Sequence, residues 1–312
     1  MRTGRLSAAL AIAAVLVSAG CASAAGSDGR PGAAGSQVSW PAGRVSSASN
    51  SAQSSSALAS SASATSSAPI RTATPSPTGE LATELDGLFG TGSSYSVAAL
   101  DLATGRSARA GAGGGMVLAS LAKLDILETL LYQRQRSGQP LTDGQEDDVE
   151  LMIEHSDNGA ADRLFRLIGR DAGLRGYNGV LGLRRTAINT EGLWGLSTTS
   201  ADDQLMLLRA LASTGSPLNA TSRQSALALM ADVEADQRWG VSAAADPDSD
   251  TSLKNGWLGV DDDQGRWAVN SGGIVRVGGH QVLMVVLSQH QPDFGTAVDR
   301  VQQAAVKLAA AL

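Results

Sequence analysis

Strand-forming segments lie at both ends of the folded part of this chain, with helical periodicity filling the middle. Tyr95 to Leu102 and Arg106 to Ala110 alternate as strands around the turn Ala103-Thr104-Gly105. Strands return at Ser252 to Leu258, Trp267 to Val277 and Gln281 to Ser288, with a turn from Val260 to Gly265. The last strand is almost wholly apolar, which places it centrally, covered on both faces. Leu81, Leu85, Leu88 and Phe89 share one helical face before the first strand. Phe294, Val298, Val301, Ala305 and Leu308 mark a final helix. The two ends must therefore join. The expected fold is α+β: an antiparallel sheet covered by the N- and C-terminal helices, with an all-helical lobe inserted between them. A cleft between two such layers is a common place for a site.

Within the insert, the glycine-rich loop Gly111 to Gly115 leads into a helix around Ser120, striped by Leu121, Leu124, Leu127, Leu130 and Leu131. Thr142 with Gln145 has capping-box spacing, followed by Asp147, Asp148 and Glu150 in an acidic first turn. Gly159 to Ile168 is a short amphipathic helix, and Ser200 with Asp203 and Thr221 with Gln224 open two more. A loop from Gly173 to Thr199 is expected to separate these groups.

Three segments are expected: residues 1–21 as an export signal, 22–78 as a tether and 79–312 as the folded domain. Arg2 and Arg5 precede the apolar run Leu6 to Val17, which is short for a bilayer span. Ala19-Gly20-Cys21 resembles a bacterial lipoprotein processing site, with Cys21 as the lipidated residue, although Ser18 stands where that pattern has leucine. Ala22-Ser23-Ala24 offers a competing cleavage site that would discard the cysteine; either way the chain is exported, lipid-anchored on the outer face or secreted. The Ser-, Ala-, Gly-, Thr- and Pro-rich tether holds few large apolar side chains and reads as a flexible spacer from a membrane or through a cell wall.

The formal net charge of -6 argues against a nucleic-acid partner. One cysteine excludes an intrachain disulfide. His155, His280 and His290 lack metal-ligand spacing, and the acidic runs Asp246 to Asp250 and Asp261 to Asp263 lack that of a calcium loop. No Gly-Lys-Ser/Thr follows Gly115, so no phosphate loop is expected there. No metal or cofactor is expected, and the domain is expected to be a monomer.

The chemistry turns on lysine. Arginine supplies most of the positive charge, and the chain holds only three lysines, Lys123, Lys254 and Lys307. A crowded or buried lysine can lose its proton, whereas arginine keeps its own. Lys123 lies in Ser120-Leu121-Ala122-Lys123. Residues three apart on a helix share a face, so a neutral amine can serve as base for the hydroxyl, and the helix N-terminus favours a developing oxyanion. Taken alone, the pair is equally a helix cap and a solvent-facing charge. Ser156-Asp157-Asn158 offers a relay hydroxyl and an amide that both donates and accepts, or else a capped loop. Lys254-Asn255-Gly256 opens the first returning strand, with a cation to bind a carboxylate or hold the relay serine, and a glycine of the kind that marks close approach of another backbone. Alone it reads as an edge-strand lysine.

Together and in this order, the three motifs resemble those of the penicillin-recognising serine hydrolases, the class A β-lactamases and their D,D-peptidase relatives. The resemblance spans residues 79–312. It implies that Ser120 is acylated, that Lys123 is its base, that Ser156 passes a proton to the leaving nitrogen and that Lys254 supports this relay. It implies that Asn158 holds the substrate amide carbonyl, that the N–H groups of Ser120 and Trp257 form the oxyanion hole, and that Arg266 is a carboxylate clamp. The implied substrate is a β-lactam or an acyl-D-Ala-D-Ala peptidoglycan stem.

Several features depart from the family pattern. Asn255 stands for the usual Thr or Ser, and Gly256 is followed by a bulky Trp257 that narrows the cleft or offers an apolar wall. The loop before Thr198 is short: Glu191 is the candidate for the deacylating carboxylate, but its spacing from Thr198 does not fit the family's pattern. The segment from Lys123 to Ser156 is short too. Without a deacylation base an acyl-enzyme forms and stalls. Three readings follow: a β-lactamase-like hydrolase, a peptidoglycan D,D-peptidase, and a non-catalytic ligand-binding protein of the same fold.

Overall fold

In a computed structural model, residues 77–260 and 263–312 are described. The signal and lipidation features expected before residue 25, and the tether up to residue 76, lie outside them; the last two residues assigned to the tether, Pro77 and Thr78, belong instead to the first helix.

Helix α1 (Pro77–Phe89) leads into strands β1 (Ser94–Asp101) and β2 (Ser107–Gly111). After the helical middle come β5 (Ser252–Val260), β6 (Arg266–Val277), β7 (His280–Gln291) and helix α8 (Phe294–Ala310). These strands form one five-stranded sheet in the order β2-β1-β7-β6-β5, with every pairing antiparallel. The apolar β7 takes the middle place, as its composition predicts. Its side chains alternate between the two faces. Val282, Met284 and Val286 join a core with Leu81, Leu85 and Phe89 of α1 and with Val301, Ala305 and Leu308 of α8. Leu283, Val285 and Leu287 are also fully buried, on the side of the helical lobe.

A two-residue strand β3 (Met116–Val117) pairs with β4 (Thr198–Thr199), a contact the sequence did not signal. Helix α2 (Ala122–Ser137) is buried without a break from Ala122 to Leu131 and ends at Gly138, whose φ of 65° suits a left-handed cap. The remaining helices are α3 (Asp143–Ile153), α4 (Asn158–Leu167), α5 (Arg170–Leu181), α6 (Ala201–Ala212) and α7 (Ala220–Ala231). The capping box of Thr142 and Gln145 opens α3, and Ser200 Oγ accepts from the Asp203 N–H at the head of α6.

Two expectations are corrected. The stretch from Gly173 to Thr199 is not all loop, because α5 fills its first part. Gly173, Gly176 and Gly179 depress helix propensity and hid it. Gly173 has a packing reason: a Cβ there would stand 2.0 Å from the Ile168 carbonyl oxygen. The cap of α7 is Asn219, whose Oδ1 accepts from Ser222 N at 2.8 Å, and Thr221 lies inside the first turn. Asn is at least as good a cap as Thr, so spacing could not rank the two.

Candidate active site

Ser120 sits in a 3-10 turn, Ala119–Leu121, immediately before α2. Ala119 has φ 49°, a left-handed conformation that costs a non-glycine residue energy and persists only where the surroundings enforce it. The enforcement comes from β6 and β5. Asn270 Nδ2 donates to the Val117 and Leu118 carbonyls at 2.8 and 3.1 Å, fixing the entry to the turn. Gly256 presses on it from the sheet edge: a Cβ there would meet Leu121 N at 2.5 Å and Ser120 N at 2.9 Å. This is the close backbone approach that a glycine in a strand predicts. It brings the edge of β5 to the amide of Ser120, which remains half-buried.

Lys123 is fully buried. Its Nζ donates to the Ser156 carbonyl, to Ser156 Oγ at 3.1 Å and to Asn158 Oδ1 at 2.8 Å. Lys254, also fully buried, donates from Nζ to the same Ser156 Oγ at 3.0 Å and to its neighbour's carbonyl, Asn255 O, at 3.1 Å. One hydroxyl therefore bridges two buried amines from distant parts of the chain. With both amines donating, the proton of that hydroxyl is left for a third partner. Ser156 adopts φ 54°, and the turn is locked by Asp157, whose Oδ1 caps α4 by accepting from Ala160 N at 2.6 Å. The direct Ser120–Lys123 hydrogen bond expected from helical spacing is not formed, because the amine's hydrogen bonds run to Ser156 and Asn158. Ser120 lies in the tighter turn ahead of α2, and the left-handed Ser156 offers its carbonyl to the amine.

Burial, and then the positive charge of Lys254, push the Lys123 amine down to about 6, against the upward pull of Asp157 and Asp162. Burial brings Lys254 down to about 7. Near neutral pH these amines are thus poised to lose or take a proton, which an exposed lysine is not.

Sequence reasoning missed the roof of this cluster. The Trp194 ring centroid lies 5.2 Å from Lys123 Nζ, and its indole N–H donates to Asp162 Oδ1 at 2.8 Å. An aromatic in a loop carries no periodic signal, so neither residue could be singled out beforehand.

Four other candidates stand apart from the lysines. Asn255 is buried, and its Nδ2 donates to the Gln237 and Trp239 carbonyls at 2.7 and 3.0 Å. Trp257 does not wall the lysine cluster. Alternation along β5 sends its side chain, like that of Asn255, to the face opposite Lys254 and Gly256. There its ring lies 5.9 Å from that of Trp239 and 5.8 Å from that of Phe294, against the core under α8. Arg266 pairs with Val260 near the other end of the β5–β6 ladder and is ion-paired with Asp263. Glu191 is exposed, and its N–H donates to Asn189 Oδ1 at 2.9 Å.

Solved structures share this architecture. A PBP-A mutant in acyl-enzyme complex with penicillin-G matches with a TM-score of 0.63 at 18% identity, over 75% of this chain and 96% of that one. A class A beta-lactamase from Bacteroides cellulosilyticus matches with a TM-score of 0.64 at 14% identity, over 76% of this chain and 99% of that one. At these identities the likeness is one of fold. The putative lipoprotein LppW of Mycobacterium tuberculosis is 33% identical over 142 residues, 43% of this chain and 45% of that protein, so the match spans less than half of the relative. The model of the beta-lactamase enzyme family (Beta-lactamase2) matches residues 145–312, more than half of the chain. The chain therefore belongs to the beta-lactamase enzyme family.

Proposed function

We propose that the domain acylates Ser120 with a β-lactam or an acyl-D-Ala-D-Ala-type amide and releases the acyl group slowly. The observation that carries this reading is the pair of buried amines on one hydroxyl, Lys123 and Lys254 on Ser156 Oγ. Neutral Lys123 takes the proton of Ser120 Oγ as that oxygen attacks the carbonyl carbon. The N–H groups of Ser120 and Trp257 stabilise the resulting oxyanion, and Asn158 holds the amide side of the substrate. The C–N bond then breaks. Ser156 gives its proton to the leaving nitrogen and is replenished from Lys123, so the proton taken from Ser120 leaves with the amine. Lys254 holds Ser156 in line and attracts the substrate carboxylate.

Slow release rests on the carboxylates near the base. Those whose charge acts on Lys123 are Asp157 and Asp162, the first engaged as a helix cap and the second by the Trp194 indole. Glu191 is exposed on its loop. This arrangement favours penicillin-binding behaviour, with peptidoglycan stem peptides as natural substrate, over efficient β-lactam hydrolysis. Export with a lipid anchor at Cys21 accompanies the reading, supported by the name of the mycobacterial relative.

The test is a chromogenic cephalosporin followed by colour and intact mass together. The expected result is one equivalent of colour and a lasting adduct that is absent in Ser120→Ala. Continuous colour sinks slow release. Folded protein giving neither signal is a binding protein instead. Palmitate-analogue labelling, lost in Cys21→Ala, tests the anchor.

A further inference from the structure

Trp194 is 2% exposed and lies in the 3-10 turn Trp194–Leu196, between α5 and β4. This short loop is held from several sides. Asn189 Oδ1 accepts from the Glu191 and Leu193 amides, Ser197 Oγ accepts from Asn189 N, and β4 pairs with β3 just ahead of Ser120. Gly195 lies against the strained residue before the nucleophile candidate: a Cβ there would stand 3.8 Å from Ala119 backbone atoms. The indole is therefore fixed to the Ser120 turn by its own backbone. It is fixed to α4 by its N–H, and α4 begins at Asn158, which receives the Lys123 amine.

We propose that Trp194 and Asp162 form a positioning pair that holds the Lys123 amine against Ser156 and keeps water from it. The kinetic consequence rests on the acylation reading above, whereas the geometry does not. The ring acts on Lys123 in two opposed ways. It excludes water, which favours the neutral amine, and it turns a π face to the amine, which favours the cation. Asp162 adds a negative charge at the ring's N–H edge. The other charged groups acting on Lys123 are Lys254 from β5, which repels its proton, and Asp157 at the head of α4, which attracts it. Burial is the largest of the influences on this amine, and the ring is part of what buries it, so removing the ring is expected to raise the proton affinity of Lys123, and neutralising Asp162 alone to lower it.

The chain's three lysines make the test direct. Selective isotope labelling gives three side-chain NMR signals, assigned by replacing each lysine with arginine. Lys307, ion-paired with Glu84 at 2.8 Å, is the internal control. In Trp194→Ala the Lys123 titration is expected to move up by at least one pH unit, about tenfold in proton affinity. In Asp162→Asn, which keeps an acceptor for the indole, it moves down. Lys307 stays put in both. In Trp194→Phe, which keeps a ring but loses the N–H, the Lys123 signal broadens as the ring loses its anchor. The acid limb of acylation against pH follows the same two shifts. An unmoved Lys123 titration in folded Asp162→Asn, together with an unbroadened Lys123 signal in folded Trp194→Phe, overturns the proposal, so a Trp194→Ala variant that fails to fold does not shield it. Shifted titrations in a protein that never acylates leave the positioning pair standing and sink the acylation reading instead.

Discussion

Helix α2 carries two sets of buried ionisable groups within two turns of each other, and they have opposite fates. Lys123 meets Ser156, Asn158 and Lys254 beneath Trp194, beside a half-buried Ser120. Asp125 and Glu128 meet helix α5: Asn178 Nδ2 donates to Asp125 Oδ2 at 2.9 Å, and the Tyr177 hydroxyl donates to Glu128 Oε2 at 2.9 Å. Burial neutralises both sets, lowering the amines and raising the acids, Asp125 to about 7 and Glu128 well above its ordinary range. Shifted proton affinity is thus not by itself a mark of function. Access separates the two. Ser156 and Asn158 reach the surface, whereas Asp125, Glu128, Tyr177 and Asn178 are all enclosed. A proton released among the lysines has somewhere to go, and one among the acids does not.

The largest effect that tests this contrast is on acylation. Lys123→Met is expected to slow acylation by about 10²–10⁴-fold, the usual worth of a general base, while Glu128→Gln leaves it within about threefold. Equal losses in burst kinetics would show that the acids belong to the site after all. On stability the order reverses. Glu128→Ala strands the Tyr177 hydroxyl in the core and is expected to cost about 1–3 kcal/mol in urea unfolding, with Glu128→Gln close to neutral.

Stability against pH sharpens the comparison further, since the two sets carry opposite signs. Asp125 is held protonated by the fold up to about 7. Its contribution is complete below its ordinary range near 4 and is lost as pH rises through 7. Relative to Asp125→Asn, the wild-type unfolding midpoint is therefore expected to decline between pH 4 and 7. Lys123 behaves in the opposite sense. Its cationic form is penalised in the fold, so relative to Lys123→Met the wild type gains stability as pH climbs from about 6 toward the ordinary lysine range. Slopes of the same sign would break the contrast.

The sequence made the lysine set legible and left the acid set dark, for a physical reason. Lys123, Ser156 and Lys254 stand in short motifs whose order along the chain carries information, and Gly256 announced a close approach. Asp125 and Glu128 fall on a helix whose leucines define its stripe, and nothing in that pattern marks two carboxylates as buried. The central place of β7 was legible because the strand is almost wholly apolar between Val282 and Leu287, as a strand covered on both faces is. Helix α5 was not, because three glycines mask its period, of which Gly173 is packed against the Ile168 carbonyl. Trp194 and Asp162 act through space, across a loop that no spacing rule describes. Asn255 and Trp257 were assigned to the cleft because they follow Lys254, but strand alternation turns them to the other face.

Arg266 gives the smallest expected effect. Its guanidinium donates to the Asp263 carbonyl at 3.2 Å and pairs with the Asp263 carboxylate, which also meets His290 Nδ1 at 2.5 Å. A third contact runs to the Gly92 carbonyl at 3.4 Å. The cation is thus partly neutralised and held on the rim of a cavity lined by Phe89, His290, Pro292 and Arg300, near the far end of the ladder from Lys254. The pair is only half-buried, and an ion pair near the surface contributes about 0–1 kcal/mol. Arg266→Ala is therefore expected to leave acylation by a carboxylate-bearing β-lactam within about twofold, with unchanged salt dependence. Lys254→Met, by contrast, should raise the concentration needed for half-maximal acylation, because it removes the cation that sits on the relay. If Arg266→Ala weakens binding as much as Lys254→Met, and added salt abolishes the difference, the carboxylate is held at the Asp263 end of the sheet, and the division of labour between the two ends of β5 has been assigned the wrong way round.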